Sequence, residues 1–186
     1  MKSDPVQNYI LKSESNLNVA AAVAAAWPEA RAKLVSAFLE RLGVRLKTKL
    51  KGWDCGLRSG RFFVDEYPVF AIWKPAWEHH SIAFECGDKG DFMDIGIVRD
   101  TDDTGKLPLH GPLLSAVQKI LPSAKSNRSW EAYATMHSPA SDWRKPEVLW
   151  RIHKDPAFLT DVANQLLEIK AVSETIIDGL ARKRAK

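Results

Sequence analysis

Cysteine is scarce in this chain: Cys55 and Cys86 are the only thiols among 186 residues. Two are too few for a disulfide framework, and without a CxxC spacing they set up neither a zinc ribbon nor a redox pair. A reducing, cytoplasmic setting follows as the expectation, with one bridge between the two left open. Long apolar runs are lacking too. The longest, Val19 to Trp27, has nine residues and is mostly alanine, where about 20 apolar residues are needed to cross a bilayer. Lys2 stands before that Ala-rich segment, but Asp4 and Glu14 lie inside what would have to be a positive leader, which argues against secretion. Neither GxGxxG nor a phosphate-loop pattern occurs, so no nucleotide cofactor is expected. HExxH, HxH and GxSxG are likewise missing, leaving no histidine metal motif and no recognisable serine nucleophile.

What is present belongs to an ordinary globular protein, with 45% hydrophobic and 27% charged residues. The net charge of +4 is unevenly divided. Residues 1–61 carry 11 basic and 5 acidic groups, residues 62–105 carry 3 and 10, and residues 106–186 carry 13 and 8. Held apart in space, such segments make a bipolar field; interspersed, they make a normal solvated surface.

Residues 1–17 are polar and aperiodic and read as a loose lead-in to a single α+β domain over 18–186. Trp27-Pro28-Glu29 has the composition of a helix start, and Leu34, Val35, Phe38, Leu39 and Leu42 recur at helical spacing up to Gly43, a natural stop. Four segments rich in aromatic and β-branched residues then predict an antiparallel β-meander: 61–64, 69–73, 80–86 and 92–98. A short helix from Pro112, a strand over 130–136, a short helix over 146–152 and a long C-terminal helix follow. In the last, Asp155 is the cap, Pro156 sits in the first turn, and Phe158, Val162, Leu166, Ile169, Ile176 and Leu180 form an apolar stripe. The fold class is therefore α+β, an antiparallel sheet packed by N-terminal and C-terminal helices.

Four features carry candidate chemistry. Val44, Leu46, Thr48 and Leu50 alternate with Arg45, Lys47, Lys49 and Lys51. As a strand this is a basic stripe suited to phosphate contacts or to protecting a sheet edge; as a continued helix it spreads the charges around a cylinder. The seven tryptophans read mainly as core or rim packing, and Trp53, Trp73 and Trp77 are the three candidates for an exposed interface patch. In the hairpin 85–94, Glu85 points away from Ile82, Phe84 and Cys86 if the strand alternates, and a matching register brings Asp94 beside it. Paired carboxylates suit a divalent cation, yet the spacing is not that of a calcium loop, and no metal site is assigned. His79 and His80, adjacent on a strand, point to opposite faces and cannot share one ion.

The segment from Trp77 to Asp100, with Ile82-Ala83-Phe84-Glu85, a turn and Ile95-Gly96-Ile97, resembles the sheet region of bacterial and phage proteins grouped with the PD-(D/E)xK nucleases. The strand Trp130-Glu131-Ala132-Tyr133 and the helix Phe158 to Ile177 resemble their C-terminal part. Glu168-Ile169-Lys170 is the only Glu-x-Lys and falls in a predicted helix without a preceding Pro-Asp strand, so no catalytic residue carries over. The resemblance implies a non-catalytic descendant. The expected function is a binding module for nucleic acid or a nucleic-acid-handling protein, for instance a phage-type inhibitor, with a metal-dependent nuclease of unusual site as the alternative.

Overall fold

A computed structural model describes residues 4–87, 92–99, 110–137 and 140–184. The elements run α1 (Pro5–Ile10), α2 (Glu14–Lys47), β1 (Asp54–Ser59), β2 (Val69–Trp73), β3 (His80–Cys86), β4 (Met93–Arg99), α3 (Gly111–Gln118), β5 (Trp130–Thr135), α4 (Pro146–Lys154) and α5 (Pro156–Arg184). The strands form one antiparallel sheet in the order β1-β2-β3-β4-β5, a pure meander, with helices packed against it.

Alternation sorts the sheet into two faces. Phe70, Ile72, Ile82, Phe84, Ile95 and Ile97 join Leu39, Leu42 and Leu46 of α2 and Phe158, Val162 and Leu166 of α5 in the main core. Trp143 is fully buried within it. Its ring lies 5.5 Å from Phe38, 5.9 Å from Phe62 and 5.7 Å from Phe84, and its indole N–H donates to the Ala140 carbonyl. Large aromatic surfaces packed edge-on and offset contribute heavily to burial energy, and the buried N–H is satisfied.

The first strand is not at 61–64 but at Asp54–Ser59. On a strand Phe62 and Phe63 would point to opposite faces. Here both are buried, because the chain turns: the Val64 and Asp65 amides donate to the Arg61 carbonyl, and Phe63 adopts φ 64°.

Helix α2 also departs from expectation at both ends. It starts at Glu14, where the Ser13 hydroxyl accepts from the Asn16 amide, and Pro28 lies in its interior. Six alanines between positions 20 and 26, the best helix formers, oppose the helix-breaking tendency of that proline. Residues 4–17, read as a loose lead-in, are helical in α1 and the first turn of α2, and none of them is buried. Gly43 does not end the helix. A Cβ there would meet only the Cys55 sulfur at an ordinary 3.9 Å, so packing does not demand glycine; the Cys55 thiol donates to the Gly43 carbonyl, which ties the helix to β1. Leu46 and Leu50 are buried whereas Val44 is exposed, which rules out a period of two.

Candidate nucleic-acid interface

The second face of the sheet carries no helix among the described residues. Val69, Ala71, Ala83 and Trp130 form a separate small cluster there, flanked by Trp73, Val98 and Tyr133, all of them from strands. Small residues floor the middle and aromatic rings stand around them. Two cations lie on those rings: the Arg58 guanidinium is 4.8 Å from the Trp73 centroid, and the Lys125 ammonium is 5.1 Å from that of Tyr133. Both distances are within the range where the ring quadrupole attracts a cation. A cleft of about 540 Å³ opens on this side, lined by Arg58, Arg99, Ser81, Glu85, Asn127 and Trp130 among others.

One end of the cleft is built on a bulge. β4 pairs Ile97 with Ala132 and Val98 with Trp130, so Glu131 is the extra residue of β5. The irregularity lets Trp130 and Tyr133, three apart in sequence, share a face with rings 5.6 Å apart. It also aims Glu131 at His80 and Arg99, themselves cross-strand partners at the ends of β3 and β4. His80 Nε2 and Arg99 Nε each lie 3.4 Å from Glu131 Oε1, and the His110 amide at the start of α3 donates to Oε2 at 2.7 Å. All three side chains are more than nine-tenths buried. Burial works to raise the Glu131 pKa, but the His80 and His110 hydrogen bonds and the Arg99 charge outweigh it and hold the carboxyl below its usual range. Gly96 is required beside this bulge, since a Cβ would meet the Ala132 carbonyl oxygen at 2.0 Å.

At the other end, Glu85 and Asp94 are direct partners across β3 and β4. The Thr135 hydroxyl donates to Asp94 at 2.7 Å. Glu85 is pushed up to about 7, chiefly by burial and then by the Asp94 charge. The expected register is thus present, but among the described residues no group of three His, Cys, Asp or Glu side chains is placed to hold a metal. Residues 88–91 of the hairpin and the acidic stretch 100–105 lie outside the described residues.

Other candidate residues fall elsewhere. Arg45 and Lys47 are in the last turn of α2, and Lys49 and Lys51 in the turns beyond it, so no basic strand exists. Lys47, Lys49 and Lys51 are nevertheless exposed. Trp53 and Trp77 are buried, with rings 4.7 Å apart, which removes them from an exposed patch; Trp73 is half-buried. Their role is internal. The Lys74 ammonium faces both rings, 5.4 and 5.7 Å from their centroids, and bonds Asp178 and Glu174 of α5 at 2.7 Å, while the Trp77 indole donates to Asp178. Burial opposes the Lys74 charge, but those two carboxylates raise its pKa above that of an ordinary lysine. The cluster clamps the β2–β3 turn to α5.

Arg58, Arg99, Lys125 and Glu131 are site residues that sequence reasoning missed. No local signal marks them, because their placing depends on the bulge in the β4–β5 register. Glu168 and Lys170 are in α5, where Lys170 pairs with Glu174. Comparison with known proteins returns no matching family, curated protein or solved structure.

Proposed function

We propose that the chain is a non-catalytic module that binds single-stranded nucleic acid on the helix-free face of its sheet. The observation that supports this reading most is the placing of Arg58 and Lys125 over Trp73 and Tyr133 beside a polar cleft. Single strands are held by aromatic rings on which bases stack and by cations that follow the phosphates, and base stacking is worth roughly 1–3 kcal/mol per base. Glu85, largely protonated below pH 7, subtracts little negative charge from that face. Lys47, Lys49 and Lys51, together with Arg45, add a sequence-independent phosphate contact on the helical side.

Titration of labelled single-stranded DNA and RNA by fluorescence anisotropy at low salt tests the reading. Binding should weaken in Arg58→Gln and Lys125→Gln, and the salt dependence should flatten by about one unit of slope per lost phosphate contact. No binding at low salt would remove nucleic acid as the ligand and leave a protein partner. The adjacency of Glu85 and Asp94 favours the second reading, a metal-dependent nuclease. Cleavage in Mg²⁺ or Mn²⁺ that disappears in Glu85→Ala and Asp94→Ala would establish it over ours.

A further inference from the structure

The N-terminal half of α2 carries apolar surface that the fold does not use. No α2 residue before Val35 is buried. Leu17, Val19, Val23 and Trp27 are 50, 58, 61 and 44% exposed, and Val6, Tyr9 and Leu11 of the adjoining α1 segment are 63, 64 and 76% exposed. The two helices are joined by the Asn16 side-chain Nδ2 donating to the Tyr9 carbonyl, and Val6, Tyr9, Val19, Val23 and Trp27 line an apolar crevice between them. Contiguous exposed patches of this kind mark interaction sites on soluble chains.

Charge decides among occupants. Residues 15–28 contain no charged side chain, so the arm offers nothing to a nucleic acid, and the charges that bound it are of both signs, Lys12 near Glu14 and Lys33 paired with Glu29, unlike the cationic flank that holds an amphipathic helix on an anionic membrane. A neutral apolar surface is complementary to another like it. We infer that two copies of this chain associate through these arms, α1 and the start of α2 packing against their counterparts about a two-fold axis. In an antiparallel pairing centred between Ala22 and Val23, Val19 meets Ala26 and Val23 meets Ala22, large against small, and the alanines allow close approach. The arm from Glu14 to Ala30 is about 25 Å long and about 10 Å wide, and α1, six residues and about 9 Å long, widens it over part of that length. That footprint gives roughly 350 Å² per copy and about 700 Å² in all, the size of a weak, concentration-dependent dimer.

Sedimentation equilibrium over roughly a hundredfold range in concentration reads the outcome. The mass should rise from 20.8 kDa towards twice that value. Val19→Glu and Val23→Glu should each hold it at the monomer, with near-ultraviolet circular dichroism unchanged because both positions are exposed. Ala22→Cys, close to the axis, should form a covalent dimer on oxidation that the parent does not. A monomer at every concentration overturns the inference, as does a dimer untouched by Val19→Glu and Val23→Glu.

Discussion

Glu85 shows how one side chain on a sheet sets a pH response. Its carboxyl is raised from 4.5 to about 7 by burial and by Asp94 opposite, so between those values the folded chain holds a proton that the unfolded chain releases. Stability then falls as pH rises through that window, is undiminished below it, and stays at the lower level above about 7. The full shift corresponds to a loss on the order of 3 kcal/mol, less where partial exposure screens it. Glu85→Gln should therefore melt higher than the parent at pH 8 and close to it at pH 4.5, read by differential scanning calorimetry. Equal pH dependence in the two proteins would show that Glu85 is ionised without cost. Glu131 is the converse case, a buried carboxylate fully engaged by His80, Arg99 and the His110 amide. Removing the carboxylate takes from His80 and the His110 amide the acceptor they share, at a cost of about 3–5 kcal/mol. Glu131→Ala should lose that much in chemical denaturation, and a loss under about 1 kcal/mol would mean that water replaces the carboxylate.

Elements differ in how openly they stand in the sequence. β2 to β5, α3, α4 and α5 follow from local composition, because the strands are short runs rich in apolar, aromatic and β-branched residues between turns and the helices repeat apolar residues at a period of 3.6; the Ala157 amide does bond Asp155 ahead of α5. α2 does not stop at Gly43 because Leu42 and Leu46, on either side of it, both bury on the core face and carry the helix past the glycine, and Arg45 to Lys51 alternate by coincidence with the start of a turn. The turn at 61–64 was misread because composition alone does not show that both Phe62 and Phe63 go inward. The site is less legible still, since the bulge, the Glu131 cluster and the pairing of Arg58 with Trp73 depend on register between strands distant in sequence. In α5 the legible stripe makes a direct prediction. Leu166 is fully buried in the main core, so Leu166→Ala should cost about 2–5 kcal/mol and lower the melting temperature by several degrees. An unchanged melting temperature with lost association would move the binding surface to α5.

At the scale of the whole molecule, burial energy and surface function occupy different parts of the chain. Every α2 side chain in the core lies at or beyond Val35, and residues 4–30 bury none. Hydrophobic stabilisation scales with apolar area removed from water, so a segment that removes little contributes little to the monomer's stability. Deleting residues 1–27 leaves Arg31 against the Phe63 ring, 4.1 Å from its centroid, and the Arg41 guanidinium bonded to the Ile152 carbonyl at 2.6 Å, which preserves the contacts of α2 with the 61–64 turn and α4. The shortened chain, which then starts at Pro28, a residue suited to a first helical turn, should keep near-parental melting in dilute solution. It should also bind single strands like the parent if the sheet face is the site, since Arg58, Trp73, Lys125 and Tyr133 all remain. Melting and anisotropy measured on the same sample separate the cases. A collapse in melting would mean that the arm supports the core, whereas intact melting with lost binding would place the nucleic-acid surface on the N-terminal arm and not on the sheet.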